Sequence, residues 1–181
     1  MGRAFVAVRP PDDVLSAVAG AVERARGVLP GARWANPDQW HLTLQFLGPV
    51  PEMAPVVEAL RSLRGRGPFT VRLGGGGAFP SVRRGRVVWL GTAVGGEAVG
   101  SLAGAVTSTL APLGYEAEGR RFHPHLTLAR LRAPGDVTTA VAALGDSAVG
   151  EAFTVEEFVL YQSRLSPRGS SYTALELVPL T

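Results

Sequence analysis

Apolar positions along the chain recur at two periods, one of two residues and one of three to four, and the switches between them mark the elements. Phe5 to Val8 reads as a strand. Pro10-Pro11-Asp12-Asp13 then opens a helix with Val14, Leu15, Val18, Val22 and Ala25 on one side and Gly27 as its stop. A linker carrying Trp34 and Trp40 leads into the strand His41 to Gly48, and Glu52 to Arg64 returns to helical spacing. Strands over Phe69 to Leu73 and Arg86 to Thr92 follow, with Gly74 to Gly77 predicted as a flexible turn between them. A helix over Glu97 to Leu113, a strand over Pro124 to Leu131 and a short helix over Asp136 to Leu144 come next. Strands near Ala152 to Gln162 and Ser171 to Val178 end the chain, with no helix between them. That last pair argues against purely parallel winding and predicts an α+β fold, with helices outside mostly antiparallel sheets.

The order of elements repeats. His41-Leu42-Thr43-Leu44 recurs as His125-Leu126-Thr127-Leu128, an offset of 84 (125 − 41). The same shift lays Phe69-Thr70-Val71 on Phe153-Thr154-Val155 and the strand-like run Arg3 to Val8 on Val87 to Thr92. A single duplication of this length predicts one domain over residues 1–181 with two lobes and an approximate internal two-fold. Two antiparallel sheets would then line a central groove, with equivalent residues facing each other across it.

Composition narrows the class. The chain has 181 residues, 46% of them hydrophobic and 18% charged, enough to bury a core and too apolar for disorder. It has no cysteine, which removes thiol nucleophiles and thiolate metal sites. The start lacks the pattern of a secretory signal, and the alanine-valine stretch around Val94 to Leu113 is too interrupted for a membrane span. A cytoplasmic, monomeric protein is the expectation. All 18 basic residues are arginine and the net charge is +3. Arginine's rigid fork suits phosphate, although a chain this rich in Ala, Gly, Val and Pro carries arginine through composition bias as well. Arg83, Arg84 and Arg86, and the pair Arg120 and Arg121 upstream of the second histidine motif, are the local basic clusters; a solvated loop is their alternative fate.

Two of the three histidines are spent on the repeated tetrapeptide. In a strand each copy presents imidazole and hydroxyl on one face while its leucines enter the core. Two imidazoles on one groove supply an acid and a base, and two hydroxyls hold phosphate oxygens. A lone copy would be an ordinary half-buried strand; the duplication makes it chemistry. Other motifs carry less. No Gly-Lys-Ser/Thr follows Gly74 to Gly77, so a P-loop is not expected. His123 and His125 lack the carboxylate or histidine partners of a metal site, so no metal and no cofactor is expected, and His123 reads as a structural residue. The serines between Ser163 and Ser171 form no nucleophile elbow. Phe79, Trp89, Tyr161 and Tyr172 read as core or groove-wall aromatics.

The paired H-x-T-x motifs resemble the signature of the 2H phosphoesterase superfamily. Ala4 to Val8, His41 to Gly48, Arg86 to Gly91, Phe122 to Arg130 and Phe158 to Ser163 with Tyr172 resemble one branch of it. That branch is the bacterial and archaeal RNA 2′,3′-cyclic phosphodiesterases, formerly called 2′-5′ RNA ligases. The resemblance spans nearly the full chain. It implies a bilobal fold whose motifs face each other across a groove, and metal-independent opening of a terminal 2′,3′-cyclic phosphate to a 2′-phosphate on RNA or a small cyclic nucleotide. It further implies His41 as proton donor to the leaving 3′ oxygen and His125 as acceptor from the attacking water. Thr43 and Thr127 would hydrogen-bond non-bridging oxygens, and Arg130 would bind the phosphate. Strict alternation, however, sets Arg130 opposite His125 unless the strand bulges or twists after Thr127 or the long side chain curls round the edge. Gln45, on the predicted face of His41 and Thr43, is a weaker candidate. The alternatives are 2′-5′ ligation as the main role, with an RNA 5′-hydroxyl in place of water, and a non-catalytic relative that only binds RNA or a nucleotide.

Overall fold

The first helix, α1 (Asp12–Val28), forms where acidic residues open and an apolar stripe continues, with Asp12 and Asp13 in its first turn and Arg26 in its last. Those charges oppose the helix dipole at both ends. Its buried stripe is Val14, Leu15, Val18, Ala21, Val22 and Ala25. The other helices are α2 (Met53–Arg61), α3 (Gly96–Leu110) and α4 (Thr138–Leu144). The strands are β1 (Gly2–Val8), β2 (Arg33–Trp34), β3 (Leu42–Val50), β4 (Phe69–Phe79), β5 (Gly85–Val94), β6 (Leu126–Gly135), β7 (Ala148–Val155), β8 (Glu157–Ser166) and β9 (Gly169–Pro179). This computed structural model describes residues 2–117, 119–166 and 169–181.

The α+β expectation holds. The strands join in the order β7-β4-β5-β6-β3-β1-β8-β9, with β2 added beside β6, and every described pairing is antiparallel. The two halves, β7-β4-β5-β6 and β3-β1-β8-β9, meet through one residue pair, Leu42 opposite Leu126. Residues separated by the offset of 84 thus sit face to face at this junction, and again where Thr70 of β4 lies opposite Thr154 of β7.

Neither half of the sequence builds its own sheet. β4, from the first half, pairs with β5 and β7, and β8, from the second, pairs with β1. The helices sort into two sets: α1 packs on α4 and β7, while α3 packs on α2 and β3. The core is continuous from Val6 and Leu42 through Leu126 to Leu160, all fully buried. No helix among the described residues is long and apolar enough to cross a membrane.

Three local predictions change. Gly74 to Gly77 is not a flexible turn but part of β4, where the register shifts between Leu73 and Gly76. Gly75 there has φ +78°, and a Cβ on Gly76 would come within 2.9 Å of Leu144 in α4. The glycines let the strand bulge and the helix close on it, which no turn is needed to explain. The predicted strand Ala152 to Gln162 divides at Glu156, because the chain leaves one half of the sheet for the other. The third helix gives way at Ala111–Leu113 to a tighter turn containing Pro112.

Candidate active site

The junction between β3 and β6 brings the two motifs together. Leu42 and Leu126 both point into the core and are fully buried. Their neighbours His41, Thr43, His125 and Thr127 are all half-buried on the other face. In an antiparallel pair centred on Leu42 and Leu126, the flanking positions bring Thr43 beside His125 and His41 beside Thr127. Beyond this pair the strands part, leaving a cleft where a ladder would otherwise continue.

Each imidazole is held in the same way. His41 Nδ1 lies 2.6 Å from the carbonyl of Gln39, and His125 Nδ1 lies 2.7 Å from the carbonyl of His123. A carbonyl only accepts, so in both rings Nδ1 carries the hydrogen and Nε2 is left for chemistry. The sequence offers no hint of these carbonyls beyond their position two residues upstream. His123 therefore contributes its backbone, while its ring packs on Trp89 at a centroid distance of 4.7 Å.

Aromatic walls flank both rings. Phe5 stacks on His41 at 4.7 Å and Tyr172 meets it edge-on at 5.5 Å. Phe79 meets His125 edge-on at 4.9 Å, with Trp89 at 6.1 Å. Phe5 and Trp89 are offset equivalents, and the strand opposite each compensates for its size. Tyr161 sits opposite Phe5, whereas Gly77 sits opposite the larger Trp89, where a Cβ would fall inside the indole. Burial pushes the His41 imidazole down from 6.5 to about 4, against the pull of the Gln39 carbonyl and helped by repulsion from His125. His125 is also lowered, mainly by burial, with His123 and Arg130 adding repulsion against the pull of the His123 carbonyl.

Matching bulges decide which residues follow. β3 slips register between Thr43 and Gln45, and β6 slips between Thr127 and Ala129. A slip of one residue turns later side chains to the opposite face. Arg130 consequently shares the face of Thr127 and lines the cleft, which resolves its predicted misplacement. Gln45 moves the other way. It pairs with the core-facing Val6, is buried, and donates from Nε2 to the carbonyl of Tyr115 at 3.0 Å. It pins the segment after α3 to the sheet instead of sharing the face of His41 and Thr43.

The cleft opens on a groove of about 870 Å³ whose lining includes Thr43, His125, Thr127 and Arg130 but not His41. Of the basic clusters, Arg86, Arg120 and Arg121 reach this groove. Arg83 and Arg84 lie in a short turn, exposed and outside it. Among the described residues no group of three or more His, Cys, Asp or Glu is arranged to hold a metal ion.

Known proteins resemble this chain in sequence and in fold. The sequence matches the family described as the 2′-5′ RNA ligase superfamily over residues 10–166. It is 34% identical over 178 residues to the RNA 2′,3′-cyclic phosphodiesterase of Archaeoglobus fulgidus, covering 97% of this chain and 98% of that protein. The crystal structure of TT0787 of Thermus thermophilus is similar with a TM-score of 0.83 at 34% identity, covering 98% of this chain and 97% of that one. That of Escherichia coli LigT complexed with 3′-AMP has a TM-score of 0.76 at 32% identity, covering 99% and 98%. By these matches, and with both H-x-T-x motifs in place, the chain belongs to the 2′-5′ RNA ligase superfamily.

Proposed function

We propose that the protein is an RNA 2′,3′-cyclic phosphodiesterase that opens terminal 2′,3′-cyclic phosphates to 2′-phosphates, using two histidines and no metal. The observation that carries this reading is the meeting of His41, Thr43, His125 and Thr127 around one residue pair, with both Nε2 atoms left for chemistry. The name borne by the relatives supplies the substrate class. The chain acts as one domain over residues 1–181, since each half of the sheet takes in strands from the other half of the sequence, β4 in one and β8 with β9 in the other.

With the cyclic phosphate seated between the motifs, neutral His125 takes a proton from water on Nε2 as the water oxygen bonds to phosphorus. The bond from phosphorus to the 3′ oxygen breaks, and that oxygen takes the proton of His41 Nε2. His41 ends neutral and His125 protonated, so one exchange with solvent resets the pair. The assignment of donor and acceptor follows the family resemblance; the geometry is symmetric. Thr43 and Thr127 donate to the non-bridging oxygens, and Arg130 offsets the phosphate charge. In the free enzyme both imidazoles favour the neutral form. The bound phosphodiester anion restores a single imidazolium between them.

Product analysis on a defined RNA with a cyclic phosphate end, in excess chelator, tests this. A 2′-phosphate product is expected. A 3′-phosphate would reverse the bond cleaved, a joined strand would make ligation the main role, and no turnover would leave a binding protein.

A further inference from the structure

The groove is larger than one phosphate requires, and its walls are unlike each other. At about 870 Å³ it lies near the top of the roughly 300–1,000 Å³ range of sites that enclose a single small molecule. Arg86, Arg121 and Arg130 line its basic side. Their counterparts at the offset of 84 are Gly2, Pro37 and Phe46, so this basic track is not duplicated although the catalytic residues are. The other side is α3, which presents Gly100, Ala103 and Gly104. A Cβ at Gly104 would meet nothing within 4 Å, so open space begins at the helix backbone. Phe122, next to Arg121, also lines the groove and is 37% exposed.

We propose that this groove seats the nucleotides preceding the cyclic phosphate in a single-stranded RNA, with a base stacked on Phe122 and phosphodiesters along Arg86 and Arg121. The inference rests on the phosphodiesterase reading and adds the path of the strand. An exposed aromatic ring beside a row of arginines is how proteins hold single strands without reading sequence, since every base has a π-face and every linkage a charge. The missing side chain at Gly104 leaves the width such a strand needs, while Phe122 lies 3.8 Å from where a Cβ on Gly100 would stand, at the edge of that space. A cyclic mononucleotide fills only the catalytic end, whereas an RNA fills the whole groove.

Equilibrium binding separates the two. A pentanucleotide RNA ending in a 2′-phosphate is compared with cytidine 2′-monophosphate, on the wild type, Phe122→Ala, Arg121→Gln and Gly104→Leu. The RNA is expected to bind about 10-fold or more tighter at low salt, with steeper loss as salt rises. Phe122→Ala should remove about 10-fold from the RNA alone. Gly104→Leu should weaken RNA without lowering the thermal midpoint, because its side chain enters empty space. Equal affinity for the two ligands, or losses that fall equally on both, would overturn the proposal. Turnover of cytidine 2′,3′-cyclic phosphate by the wild type is scored separately: its absence ends the phosphodiesterase reading, while the binding comparison still decides the strand path.

Discussion

Acid should destabilise this protein through His41 in particular. The imidazole is stacked on Phe5 with Tyr172 edge-on and is held near pKa 4, whereas in the unfolded chain it returns to about 6.5. Between those values the unfolded chain holds a proton that the folded one lacks, so unfolding takes up a proton and stability falls as pH falls. The stabilisation is intact above pH 6.5 and lost progressively on the way to pH 4. At about 1.36 kcal/mol per pH unit, His41 alone accounts for about 2 to 3 kcal/mol between pH 7 and 4.5. That is a large part of the ~5–15 kcal/mol typical of a domain. Urea unfolding of the wild type and His41→Asn at several pH values isolates it. The variant loses the ring contacts at every pH, but its stability should fall less steeply by that amount. His125 titrates in both proteins, so only the difference in slope between them is assigned to His41 and its coupling to His125. Parallel curves would mean that His41 titrates normally, and the aromatic-walled site described above would be wrong.

Two further outcomes follow from the site. Thr43→Val and Thr127→Val keep the shape of the strand and remove a donor, so each should lower kcat/KM by about 5- to 150-fold, or roughly 1–3 kcal/mol; unchanged kinetics would place the hydroxyls away from the phosphate. Gly77→Ala puts a methyl into the indole of Trp89, and overpacking of this kind costs about 1–3 kcal/mol. Because Trp89 flanks His125, turnover should fall together with the melting temperature, and a variant that melts and works like the wild type would contradict the packing account.

Much of the site is legible in the sequence because its chemistry is written twice. Period-two alternation correctly sends Leu42 and Leu126 inward and the histidines and threonines outward. The same rule fails beyond Thr43 and Thr127, where each strand takes in an extra residue. A bulge leaves no mark on the pattern of apolar residues, so Arg130 is predicted on the wrong face and Gln45 on the catalytic one. Gly74 to Gly77 misleads for a related reason: glycine marks close approach as well as turns, and only the neighbours Trp89 and Leu144 tell which. The aromatics Phe79, Trp89, Tyr161 and Tyr172 can be named from the sequence as wall residues. That they divide into two nests, one per histidine, depends on β4 and β8 crossing between halves, which periodicity does not encode. The carbonyls of Gln39 and His123 that fix both tautomers belong to the backbone and have no signature at all.

The central claim is that two imidazoles work on one phosphate, and a kinetic cycle tests it most directly. Hydrolysis of cytidine 2′,3′-cyclic phosphate in chelator is measured for the wild type, His41→Ala, His125→Ala and the double variant. Each single change should lower kcat by on the order of 10²- to 10⁴-fold, and the double change should cost little more than the worse single one, as for groups that act as a unit. Near-normal turnover in either single variant, or two losses that simply multiply, would show that the histidines do not share a reaction.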